Sequence, residues 1–338
     1  MSESVSRRQW LVNTGVGVAG SMALPGLLPA MEATRVLGGV SYGELLDQLE
    51  RDVTTMRRAA GPIRLCYNEN PFGMSPKAKD GLMASWTQHT WYDPPIRAEL
   101  RATFAKHVGV PVDHVLVTQG SSEVLATLAL AYGQNGGKIV APWPTFEDLP
   151  RYGTTLNAAV HKVPLDDRFD HDLYAMDAKI GNDTKLVLVL ADEPIIVSRT
   201  ASKIHGLAGL RVGFAVARPD ILEKLSAYVT GDPNVFGLHA ANASLQDTEY
   251  QTFIKQKNRE GRALLISALK AMGRKVTDSQ TNFVFFHAGQ PVEKVQAAAL
   301  AKGFRIGRAF PPYTEWCRVS IGTPEEMQRF VAILPSIL

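Results

Sequence analysis

The chain is poor in the features that mark several functional classes. It has only two cysteines in 338 residues, Cys66 and Cys317. They are too few and too far apart for a disulfide framework or a zinc-ligand spacing, so no metal site is expected. They read as free small hydrophobes, with a single pairing between them left open. Neither sign of charge dominates: 36 basic residues stand against 33 acidic ones, so no nucleic-acid surface and no acidic partner is signalled. Beyond the N-terminus no apolar run approaches a membrane span, which leaves no stable span in the mature chain. No internal repeat or low-complexity tract is evident. What is present is ordinary: 45% hydrophobic and 20% charged residues describe a globular protein with ample core and one large or two moderate domains.

The first segment is set apart. Ser6-Arg7-Arg8-Gln9-Trp10-Leu11 leads into a mildly apolar, Gly-rich run, Val12 to Leu24, and then Pro25. This resembles a twin-arginine export signal, with Trp10 where Phe is more usual. The resemblance implies a periplasmic or exported protein, or a cytoplasmic one if the signal is not used. A cytosolic amphipathic arm is the alternative reading of residues 1–33.

Beyond it, short apolar strand patterns alternate with helical ones through the middle of the chain: Val115 to Thr118, the helix from Val124, Lys138 to Ala141, Ala159 to Val163 and Leu186 to Leu190. Such alternation predicts a parallel sheet in an α/β domain. A second alternation follows the long helical patterns from Leu238 to Met272, with strands over Thr281 to Phe286, Phe304 to Ile306 and Trp316 to Ile321. It predicts a smaller α/β domain. Thr323 and Glu326 have the spacing of a capping box at the start of a closing helix.

The chemistry concentrates in Ser198-Arg199-Thr200-Ala201-Ser202-Lys203 and the Gly-rich run to Arg211 and Gly213. Read alone, this is also a surface loop with solvated cations. Yet a lysine used as an amine nucleophile needs a fixed stem and nearby cations. Two hydroxyls and an arginine fork in the same turn suit a phosphate. The order S-x-T-x-S-K-x-x-G-L-A-G-L-R-x-G resembles the Schiff-base lysine segment of fold-type I pyridoxal 5'-phosphate (PLP) enzymes, of the histidinol-phosphate aminotransferase-like branch of aminotransferase class I/II. The resemblance runs from about Ile63 to Leu338.

That resemblance implies an aspartate aminotransferase-like α/β fold, with a large, mainly parallel-sheet domain and a smaller α/β domain. The boundaries expected are 34–90 for an N-terminal segment contributing to the small domain, 91–245 for the PLP-binding domain, and 246–338 for the small domain. It implies that Lys203 carries PLP and that Thr200, Ser202 and Arg211 hold its phosphate, together with the Gly120-Ser121-Ser122 turn. Strand–Gly–helix by itself is common in any α/β protein, although a helix N-terminus does offer free N–H groups to an anion. Phe146, in Pro142-Trp143-Pro144-Thr145-Phe146, is the implied ring-stacking residue. Tyr92 is implied to reach the cofactor phosphate of a neighbouring subunit in a homodimer; read alone it is a packed aromatic. Asn70, in Asn68-Glu69-Asn70-Pro71, lies in a segment implied to enclose the substrate. Arg318, in Arg318-Val319-Ser320-Ile321-Gly322-Thr323, is implied to clamp the substrate α-carboxylate; without the resemblance it could pair with an internal acid.

One stretch departs from the pattern. Only Ala191-Asp192-Glu193-Pro194 separates the run ending at Leu190 from the next apolar run. Parallel neighbours need a crossover of about a dozen residues or more. The run is a bent strand, a tight antiparallel pair, or the scar of a lost unit. The family's N-P-N-N-P-T-G segment has no counterpart here, which favours the last. Asp192 is then the candidate partner of the pyridinium nitrogen, or else an exposed Asp before a turn proline. The expected activity is transamination between an amino donor and a 2-oxo acid acceptor. A PLP-dependent decarboxylase and a degenerate, non-catalytic PLP- or amino-acid-binding protein remain as alternatives.

Overall fold

The computed structural model describes residues 41–338 apart from 60, 93, 135 and 189–195. The proposed export signal and Asp192 lie outside the described residues. The chain divides into two units between Leu45 and Leu46. Of the first, only residues 41–45 are described. There the Glu44 N–H donates to Ser41 Oγ at 3.3 Å and the Ser41 N–H to the Glu44 carboxylate at 2.7 Å. This reciprocal cap opens helix α1, Tyr42–Ala59.

Among the described residues, the second unit contains four small sheets. In one, β3 (Lys138–Trp143) runs parallel to β4 (Ala159–Pro164) on one side and β5 (Thr184–Val187) on the other. Helices α5 (Asp148–Thr155) and α6 (Leu173–Asp177) lie in the crossovers. In another, β7 (Gly213–Val216) lies between β2 (Val115–Thr118) and β6 (Val197–Thr200), antiparallel to both. The parallel alternation read from sequence therefore meets one reversed strand. Residues 201–212, which join β6 to β7, contain only a single 3-10 turn and no crossover helix, so the chain returns beside the strand it has just left. Among the described residues β5 and β6 are each the edge of their sheet. Helix α4 (Ser121–Gly133) packs against both. The break expected after Leu190 falls within 189–195, outside the described residues.

Around these sheets stand α2 (Pro76–Ala84), α3 (Ile96–Val108), α7 (Pro219–Ser226) and α8 (Val235–Leu245). Their core includes Leu100, Val115, Val117, Phe214 and Leu238, all nearly inaccessible. Phe104 stacks on Phe214 with ring centroids 3.7 Å apart. Each such side chain contributes about 1.5–3 kcal/mol when fully buried.

A separate core belongs to the C-terminal elements. Strand β8 (Phe283–His287) pairs antiparallel with β10 (Trp316–Ser320). The early strand β1 (Ile63–Leu65) crosses over to pair in parallel with β9 (Phe304–Ile306). Helices α9 (Thr248–Ala271), α10 (Val292–Ala301) and α11 (Pro324–Ile337) bury Leu265, Leu269, Val295 and Phe330 against them. The capping box at α11 forms as its spacing predicts: the Glu326 N–H donates to Thr323 Oγ1 at 3.3 Å, and the Thr323 N–H to the Glu326 carboxylate at 3.0 Å. Cys66 and Cys317 are both buried and free.

Candidate active site

Lys203 stands in the loop between β6 and β7, and that loop is closed at its base. The Ala201 N–H donates to the Val212 carbonyl at 3.0 Å, and the Leu207 N–H to the Ala201 carbonyl at 3.1 Å. The Asn70 amide holds the turn from the other side, donating to the Ile204 carbonyl at 3.0 Å and to the Tyr250 hydroxyl at 3.2 Å. Lys203 Nζ donates to the Tyr67 carbonyl at 3.0 Å and opens on a cavity of about 1530 Å³ that Phe146 and Arg318 also line. Partial burial in this cleft pulls the lysine pKa below its ordinary value; Arg318 and then Arg211 add to the effect, against Glu69. The free amine, the form that attacks a carbonyl, is thereby favoured.

Beside this amine the structure brings together the residues expected to grip a phosphate. Gly213 pairs with Thr118 on one side and Thr200 on the other, so the ends of β2 and β6 flank it. Thr118 leads to Gly120, which precedes α4 with φ 82° and gives its first turn no side-chain cap. The acid of that first turn, Glu123, is already engaged by the Gln119 N–H at 2.6 Å and by Thr230. Arg211 adopts φ 53°, uncommon for a residue with a side chain. Its guanidinium lies so close to Gly120 that a methyl group there would sit 2.6 Å from Nη2. Thr200 Oγ1 donates to Ser202 Oγ at 2.8 Å. The Arg211 guanidinium thus lies at the uncapped start of α4, and the two hydroxyls lie at the end of β6, beside the strand that Gly213 begins. That donor set fits a phosphate, and with the amine of Lys203 next in sequence to Ser202 it fits a phosphorylated aldehyde.

Arg318 projects from β10. One Nη donates to the Cys66 carbonyl at 2.8 Å, while Nε is buried without a hydrogen-bond partner. Among the described residues no carboxylate pairs with Arg318, so the internal acid left open by sequence is not found. Burial, then Arg308, lowers the guanidinium pKa. A buried donor left unanswered costs about 1–3 kcal/mol, which a carboxylate bound in a two-point contact would recover.

The remaining expected residues are placed unequally. Phe146 is exposed on the cavity. Tyr92 is 95% exposed and does not line the cavity. Asn70 uses its amide within the protein, its Oδ1 accepting from the Phe72 N–H at 3.0 Å, and so positions the lysine turn. Sequence reading missed Tyr67 and Tyr250, because a backbone acceptor and a buried hydroxyl leave no motif. It also missed Glu147, which binds Arg308 at 2.7 Å, and an aromatic group around Trp316. The only signal of the latter is the alternation of Phe283, Phe285 and His287 in β8.

These features have relatives. The profile of the family described as aminotransferase class I and II matches the chain in two stretches, residues 60–191 and 187–334, which meet at 187–191. A histidinol-phosphate aminotransferase of Symbiobacterium thermophilum is 30% identical over 331 positions, covering 82% of this chain and 90% of its own. A solved structure from Erwinia carotovora atroseptica, assigned as a histidinol-phosphate aminotransferase, superposes with a TM-score of 0.76 at 30% identity, over 81% of this chain and 95% of its own. The histidinol-phosphate aminotransferase of Sinorhizobium meliloti, solved with pyridoxal-5'-phosphate, shares the fold with a TM-score of 0.75 at 19% identity, over 95% of this chain and 99% of its own. Matched by that profile over both stretches, the chain belongs to the aminotransferase class I and II family of PLP-dependent enzymes.

Proposed function

We propose that this aminotransferase moves the amino group of an α-amino acid, or of a histidinol-phosphate-like amine, to a 2-oxo acid, with Lys203 as both cofactor anchor and proton carrier. The observation that carries this reading is the placement of the Lys203 amine and of Arg318, with its unanswered Nε, on one cavity. PLP, when bound, supplies the electron sink that makes a donor's Cα proton labile. Thr200, Ser202, Arg211 and the Gly120-Ser121-Ser122 turn grip its phosphate, Phe146 covers its ring, and Asp192 is the candidate for its ring nitrogen. Arg318 orients the donor by its carboxylate. Lys203 Nζ, freed of the cofactor, would take up the Cα proton and deliver it to the cofactor's aldehyde carbon, two bonds from Cα. A decarboxylase or a non-catalytic relic is not favoured by the family to which the chain belongs.

The same reading extends to the whole protein. A unit found in relatives is absent after Leu190; the family match in two stretches supports this. So does an alignment of 331 positions that uses only 82% of a 338-residue chain. Tyr92, so exposed here, faces the phosphate of a second copy in a homodimer, and Arg7-Arg8 directs export. Borohydride reduction of the protein with PLP should leave one reduced cofactor, its mass less one oxygen atom, on the Lys203 peptide, and amino donors should bleach the absorbance of the unreduced complex. No mass on that peptide defeats the reading; mass without bleaching by any donor reduces it to cofactor binding alone.

A further inference from the structure

The wall of the cavity around Arg318 is aromatic. In β8, Phe283 and Phe285 alternate with the buried Val284 and Phe286; in β10, Trp316 and Arg318 alternate with the buried Cys317 and Val319. Phe285 lies directly opposite Arg318 in the antiparallel register, and its ring stacks on Trp316 with centroids 5.3 Å apart. A third ring arrives from far away in sequence. Phe169, in the turn between β4 and α6, stands 4.4 Å from Trp316 and 5.7 Å edge-on to Phe285. Its backbone is at φ 65°, a costly conformation for a bulky residue. The Asp166 carboxylate holds that turn by accepting the N–H groups of Arg168 at 2.9 Å and Asp170 at 2.8 Å. All three rings line the cavity and none is fully buried, so each keeps a surface for a ligand.

The charges of the same cavity do not favour a second anion. Arg308 is held by Glu147 at 2.7 Å, and Arg168 lies 3.7 Å from Asp166 and 3.9 Å from Asp170. Asp167 and Asp278 face the cavity as well. Arg305, which also lines the cavity, argues the other way.

The geometry points to a donor with an uncharged aromatic side chain: its carboxylate on Arg318, its ring against Trp316, Phe285 and Phe169, in preference to a dicarboxylic or phosphorylated donor. This rests on the reading of Arg318 as the carboxylate site. Ring–ring contacts of this kind contribute beyond the area they bury, so a preference of about tenfold or more is expected.

Carboxylates lacking the amine test the inference without turnover. Calorimetric titration of the PLP-loaded protein with 3-phenylpropanoate and indole-3-propanoate should give dissociation constants about tenfold or more below those of glutarate and 3-phosphonopropanoate. Trp316→Ala should erase the difference. Phe169→Ala, in an external turn that does not enter either main core, should reduce it severalfold and guards against misfolding of the first variant. Tighter binding of glutarate or 3-phosphonopropanoate, by way of Arg305, overturns the inference. So does equal binding of all four, or binding of none by protein whose Lys203 peptide takes up PLP. In each of those cases the borohydride label persists and the reading of Lys203 stands; loss of the label alone strikes that reading instead.

Discussion

Gly206 lies directly against the carbonyl of Gly73: a methyl group on Gly206 would sit 1.8 Å from that oxygen. The loop that carries Lys203 and the Asn68-to-Gly73 segment therefore touch backbone to backbone. Gly206 also holds φ 68° and donates its N–H to the Lys203 carbonyl at 3.0 Å. Gly206→Ala should displace the lysine turn. The left-handed backbone alone costs about 1–2 kcal/mol, and the clash adds to it. Expected are a lower midpoint of thermal unfolding and a drop in PLP fixed by borohydride. Unchanged labelling would show that the turn does not depend on this approach.

Arg318 answers its Nη with Cys66 and leaves Nε for a ligand. Arg318→Lys keeps the charge but removes the planar fork. The loss of one charge-assisted hydrogen bond, about 2 kcal/mol, should lower kcat/KM roughly 30-fold. The labelling of Lys203 should be intact. A variant that keeps wild-type kcat/KM would remove Arg318 from substrate binding.

The depressed pKa of Lys203 predicts how cofactor uptake depends on pH. Burial and then Arg318 disfavour the ammonium, so the amine is freed at a lower pH than an ordinary lysine, which titrates near ~10.4. The rate at which cofactor-free protein takes up PLP should rise with pH and level off below that value. Arg318→Gln removes the charge that lowers the pKa most and should move the midpoint upward. A midpoint indifferent to position 318 would leave burial and Arg211 as the causes.

His205 is buried with Nδ1 2.8 Å from Ser244 Oγ, and burial, aided by His107, lowers its pKa to about 4. The folded state thus refuses a proton that the unfolded chain accepts near pH ~6.5. As pH falls below that value the unfolded state gains, so this group takes stability away, by about 2 kcal/mol at pH 5. Above it there is no effect. Urea unfolding at pH 7 and pH 5 should show a smaller acid loss in His205→Asn than in the parent. Equal losses would place the acid sensitivity elsewhere.

How much of this could be read along the chain depends on distance in sequence. The turn from Thr200 to Gly213 carries lysine, hydroxyls and arginine within 14 consecutive residues, and a local motif survives as a pattern of letters. Helix α4 and the Thr323–Glu326 cap were legible for the same reason, since helical spacing and capping are set by near neighbours. Reversal of β7 was not, because strand direction is settled by what a loop must connect rather than by the strand's own residues. The placing of Asn70 was missed too: its partners Ile204 and Tyr250 lie 134 and 180 residues away.

By itself, then, the sequence determined which groups stand together in the candidate anchor, a lysine with two hydroxyls and an arginine in one short run, and the alternating elements that present it. Only the tertiary structure decided what surrounds that amine. Phe169, Phe285 and Trp316 come from three separate segments, and Arg308 finds Glu147 across 161 positions. Such neighbours are chosen by how two cores pack, a non-local balance of buried area and satisfied charge that no short run of residues records.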